Sequence, residues 1–486
     1  MGKYYYTIGL EIHAELKTQT KMFCACRNDP DEEKPNVNIC PVCMAHPGAL
    51  PIINKKAIEN VIKVGLALNG TIADFTEFDR KNYFYPDIPK GYQISQYKYP
   101  IVLGGHLADF DITRVHLEED TANNKHDRGN FSLIDFNRAG VPLMELVTEP
   151  HTFENAAEAG KNATAFAKEF QLILLYLRVS EANMEKGEMR VEANISVSTD
   201  PKKFGIKVEV KNLNSFRSVE RAIKYELDRM TKLLEENKDS EIIQETRGWD
   251  ENKQSTFSQR SKESSEDYRY FPDPDLPKLY LHGKFSAKGG PASGWDLEKM
   301  KKELPELPEA KRVRYKERWG LKDEDIEIYI GNYENIANFF EETAKILNKT
   351  EKIKTAANYI TTDWIGLKKN NDKTKLPSAE NFAELINLVF ENKISSRATK
   401  NILAMITIND ESPLKIATEK NLLLISDEKI IRPMAQRVIE RNNKAVTDYK
   451  AGNRSSIMSL VGQTIKESGD SADPQVVQKI LSDLLK

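Results

Sequence analysis

The sequence has few cysteines and no long apolar run. Its 486 residues include four cysteines, all between positions 24 and 43, so a disulfide framework spread over the chain is excluded. No apolar stretch approaches the roughly 20 residues that span a bilayer, and the N-terminus lacks the apolar core of a signal peptide. We therefore expect a soluble, cytoplasmic protein with no membrane partner, built from about two to four domains.

An excess of charge of one sign and a glycine-rich nucleotide loop are also missing. The 71 Lys and Arg residues nearly balance the 74 Asp and Glu residues, so any contact with nucleic acid must come from a local patch. There is no G-x-x-x-x-G-K-[ST] and no G-x-G-x-x-G, which argues against a P-loop or Rossmann site. If ATP binds, metal ions and carboxylates must hold it.

The four cysteines lie in one segment, "FCACRNDPDEEKPNVNICPVC". A C-x-C pair followed by a C-x-x-C pair is the arrangement that a tetrahedral zinc ion requires. Two disulfides, disfavoured in a reducing cytosol, and four unrelated buried thiols are the alternatives. We predict a structural Zn²⁺ on Cys24, Cys26, Cys40 and Cys43, with His46 as a turn or packing residue.

The segment "IGLEIHAELK" near the N-terminus alternates apolar and polar residues, which is typical of a half-buried β-strand. Glu11, His13 and Glu15 therefore share its polar face. A solvated strand face with no function is the alternative interpretation.

Three later segments repeat this alternation: "ITRVHLEED", "RVEANISVS" and "IKVEVKNLN". The predicted inward residues are Thr113, Val115 and Leu117; Val191, Ala193, Ile195 and Val197; and Ile206, Val208 and Val210. The predicted polar faces carry Arg114, His116, Glu118 and Asp120; Arg190, Glu192, Asn194, Ser196 and Ser198; and Lys207, Glu209 and Lys211. In one mainly antiparallel sheet covered by helices on its other face, these acids would line a common surface.

Such a cluster of acids needs compensation. Carboxylates about 5 Å apart repel by roughly 3 kcal/mol per pair at an effective dielectric near 20, so the acids must be hydrated, protonated or bound to a cation. Mg²⁺ prefers oxygen ligands and joins carboxylates to substrate phosphates. Ordinary solvated strand faces, balanced by the neighbouring Arg and Lys side chains, remain the alternative.

Helical periodicity and a change of composition indicate the domain organisation. Helices are predicted at 54–69, 154–179 and 218–237, and then at 335–347, 353–367 and 378–391. The proline-punctuated "EDYRYFPDPDLP" and the Gly/Ser-rich residues 282–295 mark a boundary. The interpretation is an α+β domain over 1–290, a helical domain over 291–410 and a tail domain over 411–486, whose basic residues could contact phosphates.

Several of these segments closely resemble the B subunits of tRNA-dependent amidotransferases. They include "GLEIHAELKT", the cysteine pairs followed by "HPGALP", "FDRKNYFYPDIPKGYQISQY", "RVHLEED", "DFNRAGVPLMELVTEP" and "EVKNLNSFRSVERAI". The likeness continues through "TFSQRSKESSEDYRYFPDPDLP" to "KAVTDYKAGNRSSIMSLVGQ" and covers nearly the whole chain. The short link before "LPELPEAKRVRY" matches the form without an inserted domain.

The resemblance implies a cradle domain with a glutamine-synthetase-like sheet that binds ATP and Mg²⁺, followed by helical and tail domains that bind tRNA. It implies a ligase of protein biosynthesis that phosphorylates the side-chain carboxylate of Glu on misacylated tRNA(Gln), or of Asp on tRNA(Asn). Ammonia then displaces the phosphate. The glutaminase A subunit supplies the ammonia, and a small C subunit completes a heterotrimer.

Carried over to this sequence, the resemblance assigns the catalytic and nucleotide region to Glu11, His13, Glu118, Glu119, Glu192 and Glu209. Of these, it places Glu11, His13, Glu118 and Glu119 on magnesium, with Asp120 and Asn194 as weaker candidates. Lys81 and Tyr83 resemble residues of the ammonia path, whereas Arg80, Lys90 and Arg269 could equally brace loops. Glu15 is interpreted as an ordinary strand residue.

Two functions of other classes compete with this interpretation. One is a non-catalytic, zinc-stabilised RNA-binding protein whose acidic strands are merely solvated. The other is a ligase that activates the carboxylate of a free small molecule. A substitution in the acidic strands that abolishes ATP-dependent amidation but leaves tRNA binding intact would favour the enzyme over the first alternative. A requirement for misacylated tRNA would exclude the second.

Overall fold

The computed structural model describes residues 3–125, 129–261, 268–282, 294–469 and 471–485. It divides the chain into two units, Met1–Pro308 and Glu309–Lys486. Most of the Gly/Ser-rich stretch used to predict the boundary, residues 283–293, lies outside the described residues. The predicted first domain ends at 290, but Met300 still belongs to the core of the first unit. The further division at 410 stays a prediction.

The first unit contains all the named strands of the structure. They are β1 (Tyr5–Glu15), β2 (Thr71–Ile72), β3 (Phe75–Thr76), β4 (Asp79–Asn82), β5 (Tyr92–Ser95), β6 (Val102–Leu103), β7 (His106–Leu107), β8 (Phe110–Glu119), β9 (Asn123–Lys125), β10 (Leu133–Asp135), β11 (Pro142–Thr148), β12 (His151–Phe153), β13 (Met189–Ser198), β14 (Val208–Leu213), β15 (Glu245–Asp250), β16 (Ser255–Ser261), β17 (Phe271–Pro272) and β18 (Leu279–Tyr280). Its helices are α1 (Lys55–Ala67), α2 (Ala156–Tyr176), α3 (Phe216–Glu235) and α4 (Leu297–Lys302).

A large sheet with the order β16-β15-β14-β13-β1-β11-β8-β6-β2 organises this unit, with β12 paired to β1 and β7 to β8. Within the described chain, β14–β15 is its only parallel pairing. The prediction of a mixed α+β unit with a mainly antiparallel sheet is thus confirmed.

Helices cover one face of the sheet, where α2 packs on β1, α3 on β13 and α1 on β8. The alternating apolar residues of β1 are the reason, since Ile8, Leu10, Ile12 and Ala14 are fully buried against that layer. Asn54 begins α1 by accepting hydrogen bonds from two backbone N–H groups of its first turn. The predicted inward position of Ile206 is wrong, because β14 begins only at Val208 and Ile206 is 45% exposed.

The second unit is helical, as predicted. Its helices are α5 (Pro308–Trp319), α6 (Asp323–Gly331), α7 (Asn338–Leu347), α8 (Thr350–Asn358), α9 (Ile365–Asn370), α10 (Ala379–Phe390), α11 (Ser396–Asn409), α12 (Pro413–Glu419), α13 (Glu428–Arg441), α14 (Asn443–Lys450), α15 (Ile457–Glu467) and α16 (Pro474–Leu484). The helix predicted over 353–367 is interrupted by a π-helical segment, Tyr359–Trp364. No helix among the described residues is long and apolar enough to cross a membrane.

Candidate active site

A first group of metal-ligating side chains lies on the face of the sheet opposite the helices. Glu145 of β11 is opposite His13 of β1 on one side and opposite His116 of β8 on the other. His13 Nε2 is 3.4 Å from Glu145 Oε2 and 3.5 Å from Glu118 Oε1. The ligand atoms of His13, Glu118 and Glu145 all lie within 4.8 Å of one another. We call this the histidine cluster; one nitrogen and two carboxylates can hold a divalent cation.

A second group, the glutamate cluster, consists of Glu11, Glu192 and Glu209, whose carboxylate oxygens lie within 4.8 Å of one another. Glu11 of β1 is directly opposite Glu192 of β13, and Glu209 of β14 is opposite Asn194. Asn194 Nδ2 donates a hydrogen bond of 2.8 Å to Glu11 Oε1. A set of oxygen donors alone is the chemistry that Mg²⁺ prefers.

Burial and mutual repulsion set the protonation of the histidine cluster. Burial and the charge of Glu145 raise the pKa of both Glu118 and Glu11. Burial alone would lower the pKa of His13, but its contact with Glu145 and the nearby carboxylates raise it to about 9. The neighbouring histidines hold the pKa of Glu145 well below its usual value despite burial, whereas burial lowers the pKa of His116 to about 4. At neutral pH, His13 and Glu145 therefore form a buried ion pair beside a neutral His116.

Lys211 compensates the glutamate cluster. Its Nζ is 2.7 Å from Glu192 Oε2 and 3.8 Å from Glu209 Oε1, and Thr246 Oγ1 donates a hydrogen bond of 2.7 Å to Glu209 Oε2. Burial would lower the pKa of Lys211, but the two carboxylates raise it, so the ammonium stays charged. This cation offsets part of the repulsion among the three acids.

Both clusters line one cavity of about 590 Å³. Lys81, Tyr83, Tyr268 and Tyr270 line it as well. Lys81 Nζ is 4.9 Å from the ring centroid of Tyr268 and 5.9 Å from that of Tyr83. Burial opposes the charge on Lys81, but nearby groups, with Glu118 foremost, raise its pKa. The cavity is therefore lined by the carboxylates of both clusters together with the Lys81 ammonium and the rings of Tyr83, Tyr268 and Tyr270.

The four cysteines converge as their spacing predicts. Their sulfurs all lie within 4.8 Å of one another, and the Sγ atoms of Cys40 and Cys43 are 3.9 Å apart. A tetrahedral zinc with Zn–S bonds near 2.3 Å requires sulfurs about 3.8 Å apart. The Cys24 thiol and the charge of Lys21 lower the pKa of Cys43 to about 5, although burial opposes this. The cluster thus offers a thiolate and the correct spacing for zinc.

Family models match most of the chain. The GatB/GatE catalytic domain matches residues 6–287, which include both clusters and the cysteine segment, and the GatB domain matches residues 338–485. The chain belongs to the GatB/GatE family. The resemblance predicted from the sequence motifs is confirmed.

Curated members of the GatB/GatE family are similar along the full length. The B subunit of the aspartyl/glutamyl-tRNA(Asn/Gln) amidotransferase of Thermotoga petrophila is 42% identical, covering 100% of this chain and 99% of that protein. The protein of the same name from Persephonella marina is 40% identical, with 99% of each chain covered. The chloroplastic/mitochondrial glutamyl-tRNA(Gln) amidotransferase B subunit of Sorghum bicolor is 40% identical, covering 98% of this chain and 86% of that protein.

Within this family domain, the structure brings together five of the six residues predicted for the catalytic region. Only Glu119 lies elsewhere: its Oε1 is 2.6 Å from Lys90 Nζ and accepts a hydrogen bond from the backbone N–H of Ile94. It lines a separate cavity of about 380 Å³ beside Cys43. Successive residues of a strand point to opposite faces, so Glu118 and Glu119 cannot both enter the histidine cluster. The structure places Glu119 in neither cluster.

The weaker candidates occupy supporting positions. Asp120 Oδ2 is 2.7 Å from an Arg190 guanidinium nitrogen and 3.7 Å from Arg138 Nε, so it belongs to an ion-pair network at the edge of the cavity. Glu15 is no solvated strand residue, because it is buried, and burial together with Asp120 raises its pKa to about 8.

Of the residues that were interpreted as possible loop braces, Arg80 and Lys90 make such contacts through their side chains, and Arg269 does so through its backbone carbonyl oxygen. Arg80 Nε is 2.7 Å from Asp273 Oδ2, and the Asn82 side chain donates a hydrogen bond to the Arg269 carbonyl oxygen. Lys90 pairs with Glu119. The contacts of Arg80 and Asn82 hold the segment that contributes Tyr268 and Tyr270 to the cavity.

Neither the strand periodicity nor the family motifs predict a role for Glu145 or His116. Glu145 is the one acid in the β11 run "PLMELVT", which reads as an apolar strand. A single carboxylate at the centre of such a strand is a signal of a buried, compensated charge. The register then places it between two histidines.

Proposed function

We propose that this chain is the B subunit of a tRNA-dependent amidotransferase that converts Glu-tRNA(Gln) to Gln-tRNA(Gln), or Asp-tRNA(Asn) to Asn-tRNA(Asn), using ATP. The observation that carries the proposal is the pair of adjoining metal-ligating clusters on one sheet face of the family's catalytic domain. The names of the full-length relatives support the RNA-linked substrate.

The proposed reaction has two steps, because a carboxylate is a poor electrophile. An oxygen of the side-chain carboxylate first attacks the γ-phosphorus of ATP, and the bond from that phosphorus to the leaving oxygen of ADP breaks. The nitrogen of ammonia then attacks the acyl carbon, the bond to the phosphoryl oxygen breaks, and phosphate and a proton leave. Such transfers depend on positioning and on compensation of the phosphate charge.

The two clusters fit divalent cations. His13, Glu118 and Glu145 would hold one ion, and the glutamate cluster would hold another. Bound magnesium supplies compensation for the charge of the phosphates. Two buried polar atoms beside the clusters, Asn194 Oδ1 and His116 Nδ1, have no hydrogen-bond partner among the described residues, which fits a site that binds a ligand or its water.

The chain's own cations complete the site. Lys81 and Arg114 face the same cavity, where their charge can orient phosphate oxygens. We also propose that Lys81 and Tyr83, which line the cavity, lie on the path by which ammonia enters. The rings of Tyr83, Tyr268 and Tyr270, which line the cavity, would limit the access of water to the acyl phosphate and so favour amidation over hydrolysis.

We infer that ammonia is made elsewhere. With Zn²⁺ on all four cysteines, this chain has no thiol left for a cysteine glutaminase. The expected partners, in a heterotrimer of the cytoplasm, are a glutaminase (the A subunit) and a small third protein (the C subunit). We propose that the helical second unit binds tRNA through the basic residues near its C-terminus.

The test is ATP-dependent amidation of misacylated tRNA by the reconstituted complex, with ammonium chloride in place of glutamine. Glu145→Gln keeps the shape of the side chain but removes its charge, and should lower kcat by at least about a hundredfold. The exposed Glu185→Gln serves as the matched control and should retain full activity. Unchanged activity in Glu145→Gln would instead favour a non-catalytic RNA-binding protein.

A further inference from the structure

The loop between β13 and β14, residues 199–207 with the sequence "TDPKKFGIK", exposes apolar and basic side chains together. Phe204 is 66% exposed and Ile206 is 45% exposed. Lys202, Lys203 and Lys207 are also exposed, and Asp200 is the one acid of the loop. An exposed aromatic ring among lysines is a combination that binds single-stranded nucleic acid.

The loop has a fixed shape. Ser198 Oγ donates a hydrogen bond of 3.0 Å to the Asp200 carbonyl oxygen, and the backbone N–H of Lys202 donates one of 3.0 Å to Asp200 Oδ1. Gly205 lies against β13, where a Cβ atom would be 2.0 Å from the Val197 carbonyl oxygen. Phe204 is therefore presented on an ordered turn, so a ligand need not order it.

The loop also lies at the rim of the candidate active site. Its last residue, Lys207, lines the cavity that contains both clusters. Phe204 precedes Glu209 of the glutamate cluster by five residues, so the two are at most about 17 Å apart. A few unpaired nucleotides can span this distance and still bring an attached amino acid to the cluster.

Charge favours RNA at this position and not deeper in the cavity. The cavity lining combines six carboxylates with the cations of Lys81, Arg114, Arg190 and Lys211, so its charges are largely compensated, whereas the loop carries three lysines and one acid. We propose that the 199–207 loop is the docking platform for the single-stranded 3′ end of the aminoacylated RNA. Phe204 stacks on a base near that end, and Lys202 and Lys203 contact its phosphates. This inference rests on the proposed function and adds where the substrate RNA binds.

The test compares two RNAs on the complex assembled with its partner proteins: a tRNA(Gln) transcript and the same transcript without its three 3′-terminal nucleotides. The wild type should bind the complete RNA more tightly, and Phe204→Ala should weaken that binding about five- to a hundredfold while leaving binding of the shortened RNA unchanged. Phe204→Trp should restore the difference. In amidation assays, Phe204→Ala should raise KM for the RNA with kcat retained.

Two exposed residues outside the loop, Phe131 and Lys232, provide matched controls. Phe131 is 58% exposed between β9 and β10, beside the cysteine segment and away from the 199–207 loop in the sheet. Phe131→Ala should therefore leave the affinity for both RNAs unchanged. Lys202→Ala should lower the slope of log affinity against log salt by about one, and the exposed Lys232→Ala should not.

Equal discrimination between the two RNAs by wild type and Phe204→Ala would overturn the proposal. Loss of partner proteins from Phe204→Ala, with discrimination intact, would overturn it too and indicate a protein interface. Failure of the proposed function has a different signature, since the wild-type complex would then bind RNA without amidating it.

Discussion

The ion pair between His13 and Glu145 gives a prediction that is independent of activity. The pKa of His13 is about 9, against an ordinary value of 6.5, and the Glu145 hydrogen bond and charge are the largest causes of the increase. The difference corresponds to about 3 kcal/mol in favour of the imidazolium. Burial acts in the opposite direction, so Glu145→Gln should bring the pKa of His13 to about 6.5 or below.

Histidine NMR of the metal-free protein measures this directly, because the chain has only seven histidines and His13→Gln identifies the resonance. Glu185→Gln should leave the titration at about pH 9. The sign for stability follows from the raised pKa: the contribution to the free energy of unfolding is complete below pH 6.5 and is lost as the pH rises through 9. A His13 resonance that still titrates near pH 9 in Glu145→Gln would refute the reasoning.

Three further predictions concern metals and partners. Mn²⁺ or Mg²⁺ must displace the His13 proton, so affinity for the ion should rise by up to about tenfold per pH unit between about pH 6.5 and 9; calorimetry that finds no proton release would contradict this. Metal analysis should find about one zinc per chain, lost in Cys43→Ala together with stability on the order of 10 kcal/mol, and a well-folded chain without bound metal would disprove the site. The purified chain alone should not hydrolyse glutamine, so robust ammonia release from it would contradict the division of labour with a separate glutaminase.

Periodicity predicted most of the residues that face the core, although Ile206 is exposed and Thr113 lies half-exposed at a β-bulge. This sufficed to place Glu11, Glu192 and Glu209 on one surface. It could not pair the strands, because register depends on contacts between residues far apart in sequence. The pairing of His13 with Glu145 and of Glu145 with His116 therefore came only from the structure. The prediction for Glu119 failed for a different reason. The family motif assigned it to the same site as Glu118, although strand alternation alone already placed the two side chains on opposite faces.

The position of Glu11 and His13 on one strand links folding to activity. Both clusters take a ligand from β1, which pairs with β13 on one side and β11 on the other. A shift of β1 by one residue would turn Glu11 and His13 into the apolar layer and bring Leu10 and Ile12 to the cavity, so both proposed ion sites would be lost in one step. Because Glu11 and His13 change face together, β1 contributes to both clusters or to neither. A copy of this protein that binds an ion at both clusters must therefore have β1 paired in the correct register. Metal binding can serve as a folding assay for the whole sheet.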